Sequence, residues 1–234
     1  FKNSNPILTD VIISENTVND INSDGGIDIE SGSNTILTNV IISGNMGNGI
    51  TCSGTSLSLT DVTINNNSNH GLVCNTDGIL TNVIINNNAG DGIFNFGGNF
   101  IITDALISGN ATGFTCWNNN PLLENVTIVN NSQGGFYCDD YSSPILINVT
   151  ITENNMGGIS AWTFSEPTLV NSILWNNLPQ EIYFHSTTPT IFTISHSDIQ
   201  GGELGIINTG IGTINWLDGN IDSDPLFTDP DNGD

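Results

Sequence analysis

Two tryptophans, Trp117 and Trp162, stand on either side of Asp139, Asp140 and Tyr141 once the chain is aligned on its own spacing. Ser53, Asn75, Phe96 and His185 fall in the same column. Flat aromatic faces interleaved with carboxylates suit a sugar, whose ring face packs on the aromatic while its hydroxyls donate to the acid. Phe96, Trp117, Asp139, Asp140, Tyr141, Trp162 and His185 are therefore the candidate glycan-binding residues. A second chemistry open to the acids is cation binding. Asp139, Asp140, Asp222, Asp224, Asp229 and Asp231 offer the hard oxygen donors that Ca2+ takes. The signal is weak, because the Gly of the run 229–234 comes one place early for the helix-loop-helix calcium loop.

The alignment rests on a nine-residue phrase, Leu-x-Asn/Asp-Val-x-Ile-x-x-Asn, complete at residues 123–131. Its closing asparagine recurs at Asn16, Asn45, Asn67, Asn88, Asn110, Asn131, Asn154 and Asn177, in steps of 21 to 23 residues after a first step of 29. A fixed period of this size means a solenoid. Leu8, Leu37, Leu59 and their equivalents begin runs with apolar residues two apart, which is strand spacing. A glycine followed by a large apolar residue, as at Gly92-Ile93 and Gly135-Phe136, marks a second short strand in each repeat. The reading is all-β: a parallel β-helix of about 8–9 coils, each coil about 4.8 Å above the last. The recurrent asparagines are expected to stand at left-handed corners and to hydrogen-bond up and down the column as a ladder. Residues 1–200 hold the repeats, with 17–25 bulging as a polar loop, and 201–234 form an irregular acidic cap of the same domain. Trp216, Leu217, Leu226 and Phe227 are expected to close the last coil.

Composition excludes several partners. The chain of 234 residues carries a formal net charge of −23, and Lys2 is its one basic side chain apart from three histidines. Nothing can neutralise phosphates, which excludes nucleic acid and an anionic membrane surface. No stretch approaches the length of a membrane span. The sequence opens in mid-repeat and shows no N-terminal cap, so another copy can be expected to dock end to end, a heterologous contact that builds filaments. Cys52, Cys74, Cys116 and Cys138 share one core-facing column, with Asn95 in the gap. Coil spacing brings neighbours within disulfide range, but in-register parallel strands aim their side chains poorly, which favours reduced thiols packed as small apolar residues.

The phrases NPLLENVTIVNN, SPILINVTITENN and EPTLVNSILWNN, followed by SDIQGG and GNIDSDPLFTDPDNGD, resemble the right-handed parallel β-helix repeat proteins of the pectin-lyase-like superfold. They are most similar to repeat regions of large secreted bacterial surface proteins. The resemblance implies a right-handed helix, an extracellular or cell-surface location, and either a structural, adhesive or fibre-forming role or a carbohydrate-active one. Lyases of this superfold use Arg or Lys to abstract a proton beside a uronate carboxylate; this chain has no arginine and its lysine is at position 2. The expectation is therefore a non-catalytic domain with no catalytic residues, and extracellular polysaccharide or a second copy as partner.

Overall fold

The protein, seen in a computed structural model, is described over residues 1–17, 24–53, 55–184 and 187–228. Most of the expected polar loop, residues 18–23, lies outside these. The repeated phrase bends at its third residue. Asp10, Asn39, Asp61, Asn82, Asp104, Asn125, Asn148 and Asn171 all have φ between 49° and 58°, a left-handed conformation that Asn and Asp tolerate better than other side-chain-bearing residues. The bend absorbs one residue of the alternation. Leu37 and Val40, three apart, both face inward, and Ile42 follows two later.

Successive coils pair in parallel, and the register holds through the body of the solenoid: Ile101 with Leu122, Leu122 with Ile145, Ile145 with Thr168. Among the described residues the two arms of the phrase build a sheet of 14 strands, and the Gly-apolar segments build a second sheet of 9. The core runs between them as stacked Leu, Val, Ile, Phe and Cys.

The asparagine ladder is present, and its geometry corrects the sequence reading. The ladder asparagines do not take the left-handed conformation. The residue before each does, as at Asn66, Asn87, Asn130 and Asn176. That corner turns the ladder side chain inward, and Asn45, Asn67, Asn88, Asn110, Asn131, Asn154 and Asn177 are buried. Asn110 shows the pattern. Its backbone N–H and its Nδ2 both donate to Asn131 Oδ1, at 3.0 and 3.3 Å, and Nδ2 also donates to the carbonyl of Ile85 at 3.0 Å. A buried corner thus satisfies its own backbone.

A glycine column lies against the ladder. A Cβ on Gly113 would sit 2.4 Å from Ile128 Cγ2, 2.5 Å from the carbonyl of Gly135 and 3.0 Å from Asn131 Nδ2. The coil has no room to move, since its neighbours are hydrogen-bonded on both sides. Gly113→Ala should cost about 2–3 kcal/mol, read as a lowered urea midpoint, because overpacking a close-packed site forces backbone shifts. An unchanged midpoint would show that the coils slide more freely than this packing implies.

The four cysteines are free and buried. Burial pushes the Cys116 thiol well above its ordinary pKa, which makes it a packing residue and a poor nucleophile. At the C-terminal end the expected irregular cap is partly regular. Strand Ile207–Asn208 pairs with Ile182–Phe184, and strand Thr213–Trp216 pairs with Ile191–Ser195, so the coiling continues past Gly201. Trp216 packs on the core. Leu217 and Leu226 do not close the coil but stand exposed, at 51% and 76%: with Ile214 and Trp216 facing the core, strand alternation turns Leu217 outward, and Leu226 lies beyond the last strand.

Candidate functional site

The second sheet turns two columns of side chains outward, on either side of the buried cysteine column. One is the column of Phe96, Trp117, Asp139 and Trp162; Trp117 pairs directly with Asp139. The other lies two residues earlier on each strand and runs Phe94, Thr115, Tyr137, Ser160, Tyr183. Sequence reasoning missed this second column. Its signal was present, since period-2 alternation makes residues two before an outward position outward too.

Rings from both columns meet. Phe94 lies 5.5 Å from His70, 5.6 Å from Phe96 and 5.9 Å from Trp117. Trp162 lies 6.2 Å from Tyr137 and 6.4 Å from Tyr183, leaning over Ser160 on its own strand. Beside these last three rings opens a groove of about 490 Å³, lined by Tyr137, Ser160, Trp162, Tyr183, Met156, Pro179 and the side of Gln133 and Gln180.

Asp139 stands between the two ring clusters. Its Oδ2 accepts from the Tyr137 hydroxyl at 3.0 Å and its Oδ1 from the Asp140 N–H at 2.7 Å. Burial, then the Asp139 charge, push the Tyr137 phenol well above its ordinary pKa, so it stays a hydroxyl donor across the whole working pH range. Burial likewise lowers His70, against the opposing charge of Asp91. Of the other expected site residues, Asp140 and Tyr141 lie on the turn beyond Asp139, both left-handed, and Tyr141 stacks on Phe164 at 4.7 Å. Phe96 and Trp117 are 41% and 44% exposed. His185 lies outside the described residues.

Among the described residues no group of three or more His, Cys, Asp or Glu is placed to hold an ion. Asp222 Oδ1 accepts from the Gly201 N–H and Asp224 Oδ1 from the Leu226 N–H. Asp229 and Asp231 are outside the described residues.

One acid matters for the groove wall. In the eighth coil Glu181 takes the place that glycine holds in the others, and its main-chain carbonyl accepts from Ile159 as Gly158's does from Phe136. No further asparagine follows Asn177 in the ladder, and the Glu181 carboxylate fills that position. Its Oε1 accepts from the Asn177 N–H at 3.0 Å, and its Oε2 from Asn177 Nδ2. It is 4% exposed. Desolvation pushes its pKa up to about 7, against the two Asn177 hydrogen bonds.

A family model described as the right handed beta helix region matches residues 3–122 and 118–221. The chain belongs to that family. The handedness and the β-helical solenoid expected from the repeat phrases are thereby established. A solved structure of the pectate lyase Pel9A is similar to this β-helix at 12% identity and a TM-score of 0.42, covering 84% of this chain and 58% of that one. A likeness of that size says nothing of activity. No curated protein matches this β-helix.

Proposed function

We propose that this β-helix is an extracellular, non-catalytic adhesive domain that holds polysaccharide on the outer face of its second sheet. The observation that carries the reading is the groove between Tyr137 and Tyr183, floored by Ser160 and flanked by Trp162. Such a site offers a sugar ring aromatic faces, with the Gln133 and Gln180 amides for its hydroxyls. A concave site lined by apolar rings with a few polar groups is the usual form of a small-ligand pocket. The absence of catalysis is supported by placement: Lys2 pairs with Glu30 at 2.8 Å in the first coil, whereas the groove lies in the sixth to eighth.

Replacing Trp162 or Tyr183 by Ala should weaken binding to immobilised polysaccharide about 30-fold, since truncating a central aromatic contact costs about 2 kcal/mol. Trp175→Ala, on the other sheet, should leave binding unchanged. Equal binding by all three variants and the wild type in a glycan-array titration would sink the proposal.

A further inference from the structure

The three rings of the groove continue a longer row. Through five successive coils the second sheet presents a large ring from at least one of its two outward columns: Phe94 beside Phe96, then Trp117, Tyr137, Trp162 and Tyr183. The rings alternate between the columns. Where the earlier column carries Phe94, Tyr137 or Tyr183, the strand supplies its ring there. Where that column carries Thr115 or Ser160, the ring is the tryptophan two residues on. A tryptophan beside a small residue is free to lean over it, and Trp162 does so, touching the tyrosines of the coils before and after. Phe94 meets Trp117 at 5.9 Å, and Asp139, paired in register with Trp117, accepts from the hydroxyl of Tyr137. Two ring clusters, Phe94 with Trp117 and Tyr137 with Trp162 and Tyr183, thus lie on adjoining coils with Asp139 between them.

The row runs along the helix axis, across the strands. Four coil steps at about 4.8 Å make it about 19 Å long, whereas along a strand the face offers two side chains. An extended polymer with an apolar face on each residue matches such a ridge lengthwise. Charge selects the polymer further. Asp139 sits mid-ridge, the chain carries −23 overall, and its one lysine is bound to Glu30 in the first coil. A uronate or sulfate group laid along this ridge would meet like charge and no counter-charge.

We propose that the five rings form one continuous site for an uncharged, extended polysaccharide lying parallel to the helix axis. This rests on the glycan-binding reading of the groove and adds its length, direction and charge selection. Phe94 and Trp117, outside the groove, become the far half of the site.

The test is calorimetric titration with cello-, xylo- and manno-oligosaccharides of two to six units, and with oligogalacturonates of the same lengths. Affinity in at least one uncharged series should rise about tenfold or more with length, as each added sugar reaches a further ring. Phe94→Ala and Trp117→Ala should abolish that rise and leave the shortest binding oligosaccharide unaffected, whereas Tyr183→Ala should weaken every length. All three side chains face outward, and unchanged thermal melting would confirm that the variants fold. Length-independent affinity, indifference to Phe94→Ala and Trp117→Ala, or galacturonates binding as well as uncharged chains would overturn the continuous neutral site and leave the groove standing. No binding in any series would overturn the groove as well.

Discussion

Asn131→Ala is expected to destabilise the β-helix by about 4 kcal/mol, the largest effect of any single polar substitution in the body of the solenoid. The side chain removed serves three coils. Its Oδ1 accepts from both the N–H and the Nδ2 of Asn110, and its Nδ2 donates to Asn154 Oδ1 at 2.9 Å and to the carbonyl of Ile107. All of these lie in a buried corner, where water cannot replace the lost partner. Two donors on Asn110 are left without an acceptor, at about 1–3 kcal/mol each. Asn120→Ala, which removes an exposed acceptor for the Ser143 N–H, should cost less than about 1 kcal/mol by the same principle, since water takes over the bond. Equilibrium urea unfolding of the two variants reads the difference. Comparable midpoints would mean that the ladder is a consequence of coil stacking and not one of its supports.

Glu181→Gln is expected to stabilise the protein above neutral pH and to flatten its pH dependence. In the wild type the carboxyl has its pKa raised from 4.5 to about 7 by burial. Between those values the unfolded chain gives up the proton and the folded chain keeps it. The stability contributed by the neutral carboxyl is therefore full below about pH 4.5, falls as pH rises, and is gone above about pH 7. The shift corresponds to about 3 kcal/mol, or on the order of 10 °C in melting temperature for a chain of this size. Glutamine keeps the acceptor without the charge. A single amide oxygen can take both Asn177 donors, as Asn131 Oδ1 takes both from Asn110. The difference in melting temperature between variant and wild type should therefore grow from pH 4.5 to pH 8. Parallel profiles would show that the carboxylate is not the titrating group. Because Pro179 and Gln180 wall the groove and immediately precede Glu181, the same titration is a natural control for any pH dependence of ligand binding.

Much of this architecture was legible in the residues because a solenoid repeats its own solution. Leu37, Leu59 and Leu80 had to occupy equivalent places, and the stacking of Leu on Leu and Cys52 on Cys74 follows from one period held in register. The closing asparagines announced a ladder for the same reason. Their conformation was not legible. A residue favoured in left-handed corners stands at Asn66 and Asn67 alike, and only the path of the chain decides that Asn66 turns while Asn67 points into the core.

The candidate site divides in the same way. The column of Phe96, Trp117, Asp139 and Trp162 could be read by counting from the cysteines, yet it supplies only part of the aromatic face. Phe94, Tyr137 and Tyr183 join it because two outward columns lie side by side on one sheet, and the alternation between them is a property of the sheet and not of any one repeat. The acidic residues show the opposite case. In one dimension Asp222 and Asp224 are only spaced acids, and the fold alone shows that one oxygen of each accepts an N–H, from Gly201 and Leu226. By itself the sequence determined the period, the parallel pairing and the apolar columns, because these are local patterns repeated at a fixed interval. Tertiary structure alone decided the groove, the ring-to-ring contacts and the raised pKa of Glu181. Each of those depends on side chains from different coils meeting across space, at distances and degrees of burial that no single repeat encodes.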